Sequence, residues 1–330
     1  MSDERIAPST TAAGRGAPGG ERRHADRFST AGAPHRRRRA VASAMALLAL
    51  TSLIAGIAVG SGPGTQVGHH PLAPSGPRGF FARIHALAGT GSGSFQAREL
   101  AAENGAINRT LAYTPIVRIA GSEKREIALT FDDGPGPYTP GVLAVLQREH
   151  VPATFFEVGV MLQYFHASTS AIVARGDPIG DHTELHQPMS ELSQADQRSE
   201  LLDQAAAISQ YGAPFPRLFR PPYGVYNATT LALLHKYGML MVMWTVDSND
   251  YLRPGVASII KTVISGARPG AIILMHDAGG DRSQTIAALP KIIKDLRARG
   301  YRLVTVPRLL LDDPPPHDQD VTAATALGAG

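Results

Sequence analysis

The sequence predicts a (β/α) barrel of about seven units within residues 123–311, and three observations carry that prediction. Apolar runs of strand length alternate there with helix-period segments. The residues able to do chemistry gather at the C-terminal ends of the strand candidates. They also come from strands spread through the whole segment. Alternation alone implies a parallel sheet, either doubly wound or closed. The other two observations favour closure, because a barrel brings every strand C-terminus onto one face. An open sheet would concentrate its site at one crevice instead.

Taken in order, residues 1–39 hold nine arginines against four acids and are rich in Gly, Pro, Ala, Ser and Thr. That composition reads as a disordered basic arm. The arm accounts for more than the whole formal charge of +4. The remainder is close to neutral, which argues against nucleic-acid binding by the folded part. Residues 40–60, "AVASAMALLALTSLIAGIAVG", carry no charge and follow Arg36, Arg37, Arg38 and Arg39. The length suits one transmembrane helix, and the arginines would keep the N-terminus cytoplasmic and the rest outside. The long segment before it and the blurred small-residue pattern favour an uncleaved anchor, with secretion after cleavage as the alternative. Residues 61–122 read as a Gly/Pro-rich spacer with a short helix near 97–104.

Strand candidates follow at 126–131, 153–158, 178–181, 218–220, 240–246, 271–276 and 302–305. Thr139 and Pro140 open a helix. Ser193 with Asp196 opens a longer one running to about Gln210, and Asn227 caps a third ending near Tyr237. Gly300 stands where a helix C-terminus favours glycine. The tail, 312–330, reads as disordered.

The chain has no cysteine. Disulfides and thiolate metal sites are therefore excluded, and a metal would need imidazole and carboxylate ligands. His182 and His186 stand four apart, a spacing that puts both imidazoles on one face of a helical turn. They need a carboxylate to complete a three-ligand site, and Asp132–Asp133 at the end of the first strand offers one. The second acid is then free to accept a proton from water, so the adjacent carboxylates have two tasks. A turn built on Asx hydrogen bonds is the simpler alternative for the pair. His276 ends the sixth strand, placed as an acid for a leaving group. Arg220 can hold an aspartate, and the Pro221–Pro222 pair stiffens a loop whose backbone amide near Tyr223 can face an oxyanion. Trp244, the one tryptophan, fits a sugar groove or the core equally well.

The ordered set TFDDGP, H-T-x-x-H, R-P-P-Y-G, W-T-V-D-x-x-D and L-M-H-D resembles the polysaccharide deacetylase family, the NodB-homology domain of carbohydrate esterase family four, over about residues 124–308. The resemblance implies a distorted (β/α) barrel of fewer than eight regular units. It also implies a divalent metal, Zn2+ first, with Co2+ or Ni2+ as substitutes, and removal of acetyl groups from N- or O-acetylated polysaccharide. By motif, Asp132 matches the general base, and Asp133, His182 and His186 match the metal ligands. Arg220 matches the residue that holds the base, and the Tyr223 amide the oxyanion donor. His276 matches the general acid, Asp250 its tuning carboxylate (with Asp247 as second choice), and Leu274 the residue receiving the acetyl methyl.

Two positions depart from the family pattern. Asp181 replaces a frequent asparagine, where it would raise a ligand's basicity or bind the metal itself, and Tyr251 replaces a frequent tryptophan. With the anchor, this reading makes N-acetylglucosamine of peptidoglycan the expected substrate. Chitin-type oligosaccharide, acetylated xylan, a small cyclic or linear amide, and a catalytically silent wall-binding module are the alternatives.

Overall fold

The computed structural model describes residues 95–319. The basic arm, the expected membrane helix and most of the expected spacer lie outside the described residues. No helix among the described residues is long and apolar enough to cross a membrane.

The elements run α1 (Phe95–Leu111), β1 (Ile116–Val117), β2 (Glu126–Gly134), α2 (Thr139–Glu149), β3 (Thr154–Glu157), α3 (Gly159–Arg175), β4 (Ile179–Asp181) and α4 (Gln194–Ser209). They continue with β5 (Leu218–Phe219), α5 (Ala228–Tyr237), β6 (Leu240–Val242), β7 (Val246–Asp247), α6 (Val256–Gly266), β8 (Ala271–His276), α7 (Ser283–Ala298), β9 (Arg302–Val304) and α8 (Val306–Asp312). Every ladder is parallel, in the order β1-β6-β5-β4-β3-β2-β8-β7. β9 lies against the first residues of β2, and β3 against its last. No ladder joins β1 to β7. Instead Ile119 bridges Ala271, and the Thr245 hydroxyl donates to the Arg118 carbonyl at 2.6 Å. The sheet is thus a strongly curled half-barrel whose two ends meet through single contacts.

Strand parity decides what faces where. Ile127, Leu129 and Phe131 of β2, with Ala271, Ile273 and Met275 of β8, pack outward under α2, α6 and α7. The alternate residues Ala128, Ile272, Leu218, Leu240, Val242 and Val304 fill the interior with Phe156. Ile107 of α1 and Leu309 of α8 join this inner cluster. Continued one step further along the strands, the inward parity reaches Thr130 and Asp132 on β2, Leu274 and His276 on β8, and Arg220 after β5. The interior is apolar below and polar at the strand C-termini.

The helix starts match their sequence signals. Ser193 caps α4 by accepting from the Asp196 amide, and Asn227 and Thr230 form a reciprocal capping box on α5. Three expectations need correction. The single strand at 240–246 is two: β6 pairs with β5, whereas β7 pairs with β8. The chain crosses between them, with the Met243 amide bonded to Val117 and the Thr245 amide to Ile272. The folded unit also starts before residue 123, because α1 is longer than the short helix expected and β1 is a sheet strand.

The third correction is the tail, which is packed as far as Gln319. Asp313 accepts from the Lys124 amide at 2.8 Å, the Tyr113 hydroxyl donates to the Pro315 carbonyl at 2.8 Å, and His317 stacks on Tyr113. The Gln319 side chain accepts from the Arg118 amide and donates to the Ile116 carbonyl. Polar composition hid this, since hydrogen bonds to distant residues hold the tail along with the burial of Pro315. Ending the chain at Asp312 is therefore expected to cost about 2–4 kcal/mol, at about 1 kcal/mol per lost hydrogen bond. Thermal unfolding of the shortened protein should show a midpoint lower by about 5–15 °C.

Candidate active site

Adjacent residues on a strand face opposite ways, yet Asp132 and Asp133 both reach one site. The register between β2 and β3 breaks between Asp132 and Gly134, and Asp133 takes a left-handed φ of 71°. This bulge at the strand end re-aims the second carboxylate. Gly134 follows because a Cβ there would lie 2.7 Å from both carboxyl oxygens of the buried Asp277.

Asp133, His182 and His186 each offer one ligand atom, and the three atoms lie within 4.8 Å of one another. Asp133 Oδ1 is 3.1 Å from His186 Nε2 and 3.5 Å from His182 Nε2. The histidines do not share a helical turn, as the spacing of four had predicted. The segment after β4 is a loop in which Thr183 (φ 69°) and His186 (φ 57°) are both left-handed, and the Thr183 hydroxyl accepts from the His186 amide. His182 Nδ1 lies 2.7 Å from the Arg220 carbonyl. A carbonyl can only accept, so Nδ1 carries a proton and Nε2 is the ring nitrogen turned toward the cluster. Burial pushes the Asp133 carboxyl up, but the two imidazoles and the charge of His276 hold it well below the usual range. Two imidazole nitrogens and one ionised carboxylate suit a divalent ion of the zinc type with an open position.

Arg220 is fully buried and every arm of its guanidinium is engaged. Nε donates to the Val242 carbonyl (2.9 Å), Nη1 to Thr130 Oγ1 (2.8 Å) and Asp132 Oδ1 (2.7 Å), and Nη2 to the Met243 carbonyl (3.2 Å). The Phe156 ring lies 4.1 Å from its Cζ. Asp132 thus has one oxygen fixed by Arg220. Its other oxygen, Oδ2, is 3.9 Å from His182 Nε2, on the side of the three-residue cluster.

Asp132 and His276 are register partners across β2 and β8, which sets them side by side. Asp250 grips His276 twice: Oδ1 lies 2.7 Å from ring Nδ1, and Oδ2 accepts the His276 amide at 2.9 Å. Thr285 donates to the same Oδ2 at 2.7 Å. Burial pushes the His276 pKa down, but the hydrogen bond and charge of Asp250, with the charges of Asp133 and Asp132, raise it to about 9. The hydrogen bonds to His276 come from Asp250 and not from Asp247, which acts on the ring through charge alone. It accepts from the Asn249 amide and the Tyr251 hydroxyl.

Other expected residues fall around this centre. Tyr223 sits in a turn at φ 58°, 62% exposed, with its ring 4.8 Å from that of His186. Tyr251, 42% exposed, packs edge-on to His276 at 5.3 Å. One ring thus lies against the cluster and the other against His276. Leu274 points inward two residues below His276 and is buried. Trp244 is half-buried behind Arg220, against Gly224. Asp181 lies outside the three-residue cluster: the Arg220 carbonyl occupies His182 Nδ1, Asp181 Oδ1 accepts the Thr183 amide at 2.7 Å, and its Oδ2 is buried without a hydrogen-bond partner. It shapes the loop that carries the histidines. Sequence reasoning overlooked Thr130 and Thr285. Thr130 was detectable, being two residues before Asp132 and so on its face, whereas nothing local marks Thr285.

A family model for polysaccharide deacetylases matches residues 120–242. A peptidoglycan-N-acetylglucosamine deacetylase of Bacillus cereus is 40% identical over 192 residues, spanning 57% of this chain and 90% of that protein. The chain belongs to the polysaccharide deacetylase family. A chitooligosaccharide deacetylase of Bradyrhizobium sp. is 39% identical, over 57% of this chain and 92% of its own. Among solved structures, a mutant of BA3943, a CE4 family pseudoenzyme with restored enzymatic activity, superposes with a TM-score of 0.56 at 31% identity, covering 60% of this chain and 72% of that one. The half-barrel of this deacetylase is therefore a fold on which activity can be lost, and its function has to be argued from the site.

Proposed function

We propose that this chain is a metal-dependent polysaccharide N-deacetylase whose substrate is N-acetylglucosamine in peptidoglycan. The observation that carries the reading is the convergence of three features at the strand C-termini: the Asp133–His182–His186 cluster, the Oδ2 oxygen of Asp132 turned toward it, and the Asp250-gripped His276. Asp133, His182 and His186 would hold the ion. A divalent cation bound there, Zn2+ first, supplies acidification of a water and polarisation of the acetyl carbonyl.

The protein's own groups account for the rest. Arg220 holds Asp132 in place through Oδ1, with Oδ2 as the acceptor for the proton of the attacking water. The Tyr223 amide, in its left-handed turn, donates to the oxygen on which charge develops. His276, charged through Asp250, gives a proton to the departing amine, and Leu274 lines the space for the acetyl methyl. Acetate and a free amino sugar leave. Tyr223 and Tyr251 offer exposed aromatic faces to a sugar chain.

The relative at 40% identity and the topology expected from residues 40–60 support peptidoglycan. In this reading that segment anchors the chain, with the arginine-rich arm cytoplasmic and the catalytic unit outside, where peptidoglycan is within reach. The relative at 39% identity favours chitooligosaccharide nearly as strongly, so both substrates belong in the test.

Acetate release would be followed from peptidoglycan and from N-acetylglucosamine oligomers, with chelation and zinc add-back. Wild-type release should be higher on peptidoglycan and abolished by chelator. Asp132→Asn should lower kcat by about 10²–10⁴-fold while zinc content stays intact. Zinc-independent release, or an active Asp132→Asn variant, would sink the mechanism. A preference for the oligomers would move the substrate and leave the chemistry standing.

A further inference from the structure

We propose that Arg282 is a positioning residue for Asp133, holding that carboxylate so that one oxygen alone is offered to the metal. The inference rests on the metal-site reading above and concerns a residue outside the five sequence motifs.

The segment 278–282 joins β8 to α7 and folds over the aspartate bulge. Arg282 is buried, and its side chain turns back on its own loop: Nε donates to the Ala278 carbonyl at 2.6 Å and Nη2 to the Gly279 carbonyl at 2.9 Å. Two bonds to backbone make the guanidinium a fixed group rather than a swinging one. From there Nη2 stands 4.0 Å from Asp133 Oδ2, the oxygen that the imidazoles do not use. Gly279 closes the same side. Its φ is 71°, and a Cβ on it would lie 2.2 Å from Asp133 Oδ2. The loop therefore brings bare backbone and a cation against one oxygen, while the other faces His182 and His186.

The physical consequence concerns rotation of the carboxylate. Asp133 sits on a bulge, outside the ladder that fixes its neighbours. Without a partner for Oδ2 the group is free to turn about its terminal torsion, which has broad minima. It could then chelate an ion through both oxygens or leave the imidazoles. With the Arg282 cation and the Gly279 backbone against Oδ2, the carboxylate is preorganised to offer a single oxygen, which would leave a position open on a bound divalent ion.

A useful sign difference separates this from mere proximity. A fixed cation near a divalent ion repels it, so charge alone would make zinc bind more tightly when Arg282 is removed. Positioning makes zinc bind more weakly, by about 10–100-fold, the usual effect of losing a group that orients a ligand.

The test measures zinc dissociation constants by chelator competition on the whole protein, with thermal unfolding of the metal-free form alongside. Arg282→Gln should weaken zinc about 10–100-fold. Arg282→Lys, which keeps the charge without the fork, should fall between it and wild type. In the Asp133→Asn background, Arg282→Gln should change zinc affinity no further. Equal or tighter zinc binding by Arg282→Gln would overturn the proposal. So would a loss of the same size in the Asp133→Asn background, because the arginine would then act on the fold rather than through Asp133. If Asp133→Asn alone leaves zinc affinity unchanged, the ligand reading fails first and this inference falls with it. None of these readouts needs a substrate, so loss of deacetylation cannot be mistaken for any of them.

Discussion

Replacing Arg220 by methionine is expected to destabilise the protein by about 3–5 kcal/mol and to abolish measurable deacetylation. The two losses have different causes. Arg220 and Asp132 form an ion pair at 2.7 Å with both side chains buried. Methionine fills much of the volume but leaves Asp132 charged in the interior with its principal partner gone. The Val242 and Met243 carbonyls and the Thr130 hydroxyl also lose a donor. An uncompensated buried charge is among the few single changes that reach this size. Against a typical total of about 5–15 kcal/mol the variant still folds, but with a midpoint well below wild type.

The double variant Arg220→Met with Asp132→Asn separates stability from chemistry. Removing the second charge takes away most of the penalty, so the double variant should be more stable than Arg220→Met alone. It should remain inactive, because the proton acceptor is gone. Denaturant unfolding of the four forms gives the coupling energy, expected to be several-fold above the roughly 0.2–1 kcal/mol of an exposed pair. Additive losses would mean that the pair is not the unit drawn here.

The legible part of this site is the part that follows strand parity. Asp132 and His276 are ends of apolar runs, and period two carries them inward together with Thr130 and Leu274. Residue type identified His182 and His186, but the reason that joined them was wrong. A spacing of four means one face only in a helix, and the chain uses two left-handed residues in a loop instead. The family resemblance alone assigns Asp133 as a ligand, since alternation would send it away from Asp132; the bulge that rescues it leaves no local mark beyond the glycine that follows. Arg282 was invisible because its role depends on a side chain folding back across four residues of its own loop, beside a carboxylate from another strand. Fold boundaries failed for a related reason. β1 and residues 313–319 are fixed by hydrogen bonds to distant strands, which neither hydropathy nor periodicity reports.

Asp250→Asn should have the second large effect, and the sign of its pH dependence is what makes it decisive. In the wild type, burial alone would hold His276 neutral, and the Asp250 carboxylate reverses that, with its hydrogen bond to Nδ1 as the main counterweight. Asparagine keeps an acceptor for the ring but removes the charge. Burial then dominates, and the imidazole pKa should fall from about 9 to below its ordinary value of 6.5. At neutral pH the variant lacks its proton donor, so kcat and kcat/KM should fall together by about 10²–10⁴-fold. The alkaline limb of kcat/KM should move toward acid.

Stability gives an independent check in the metal-free protein. A group whose folded pKa lies above its unfolded value contributes stability that is fully present below 6.5 and is lost as pH rises through about 9. Wild-type stability should therefore decline across that window, and Asp250→Asn should flatten the decline. Asp250 itself is held below the usual carboxylate range, because His276 and Thr285 outweigh the burial that would raise it. Its own titration falls well outside the window and does not blur the comparison. An unchanged alkaline limb in Asp250→Asn would remove His276 from the acid role. A flattened stability slope with an unchanged limb would leave the pair structural and send the search for the donor elsewhere on the strand-end face.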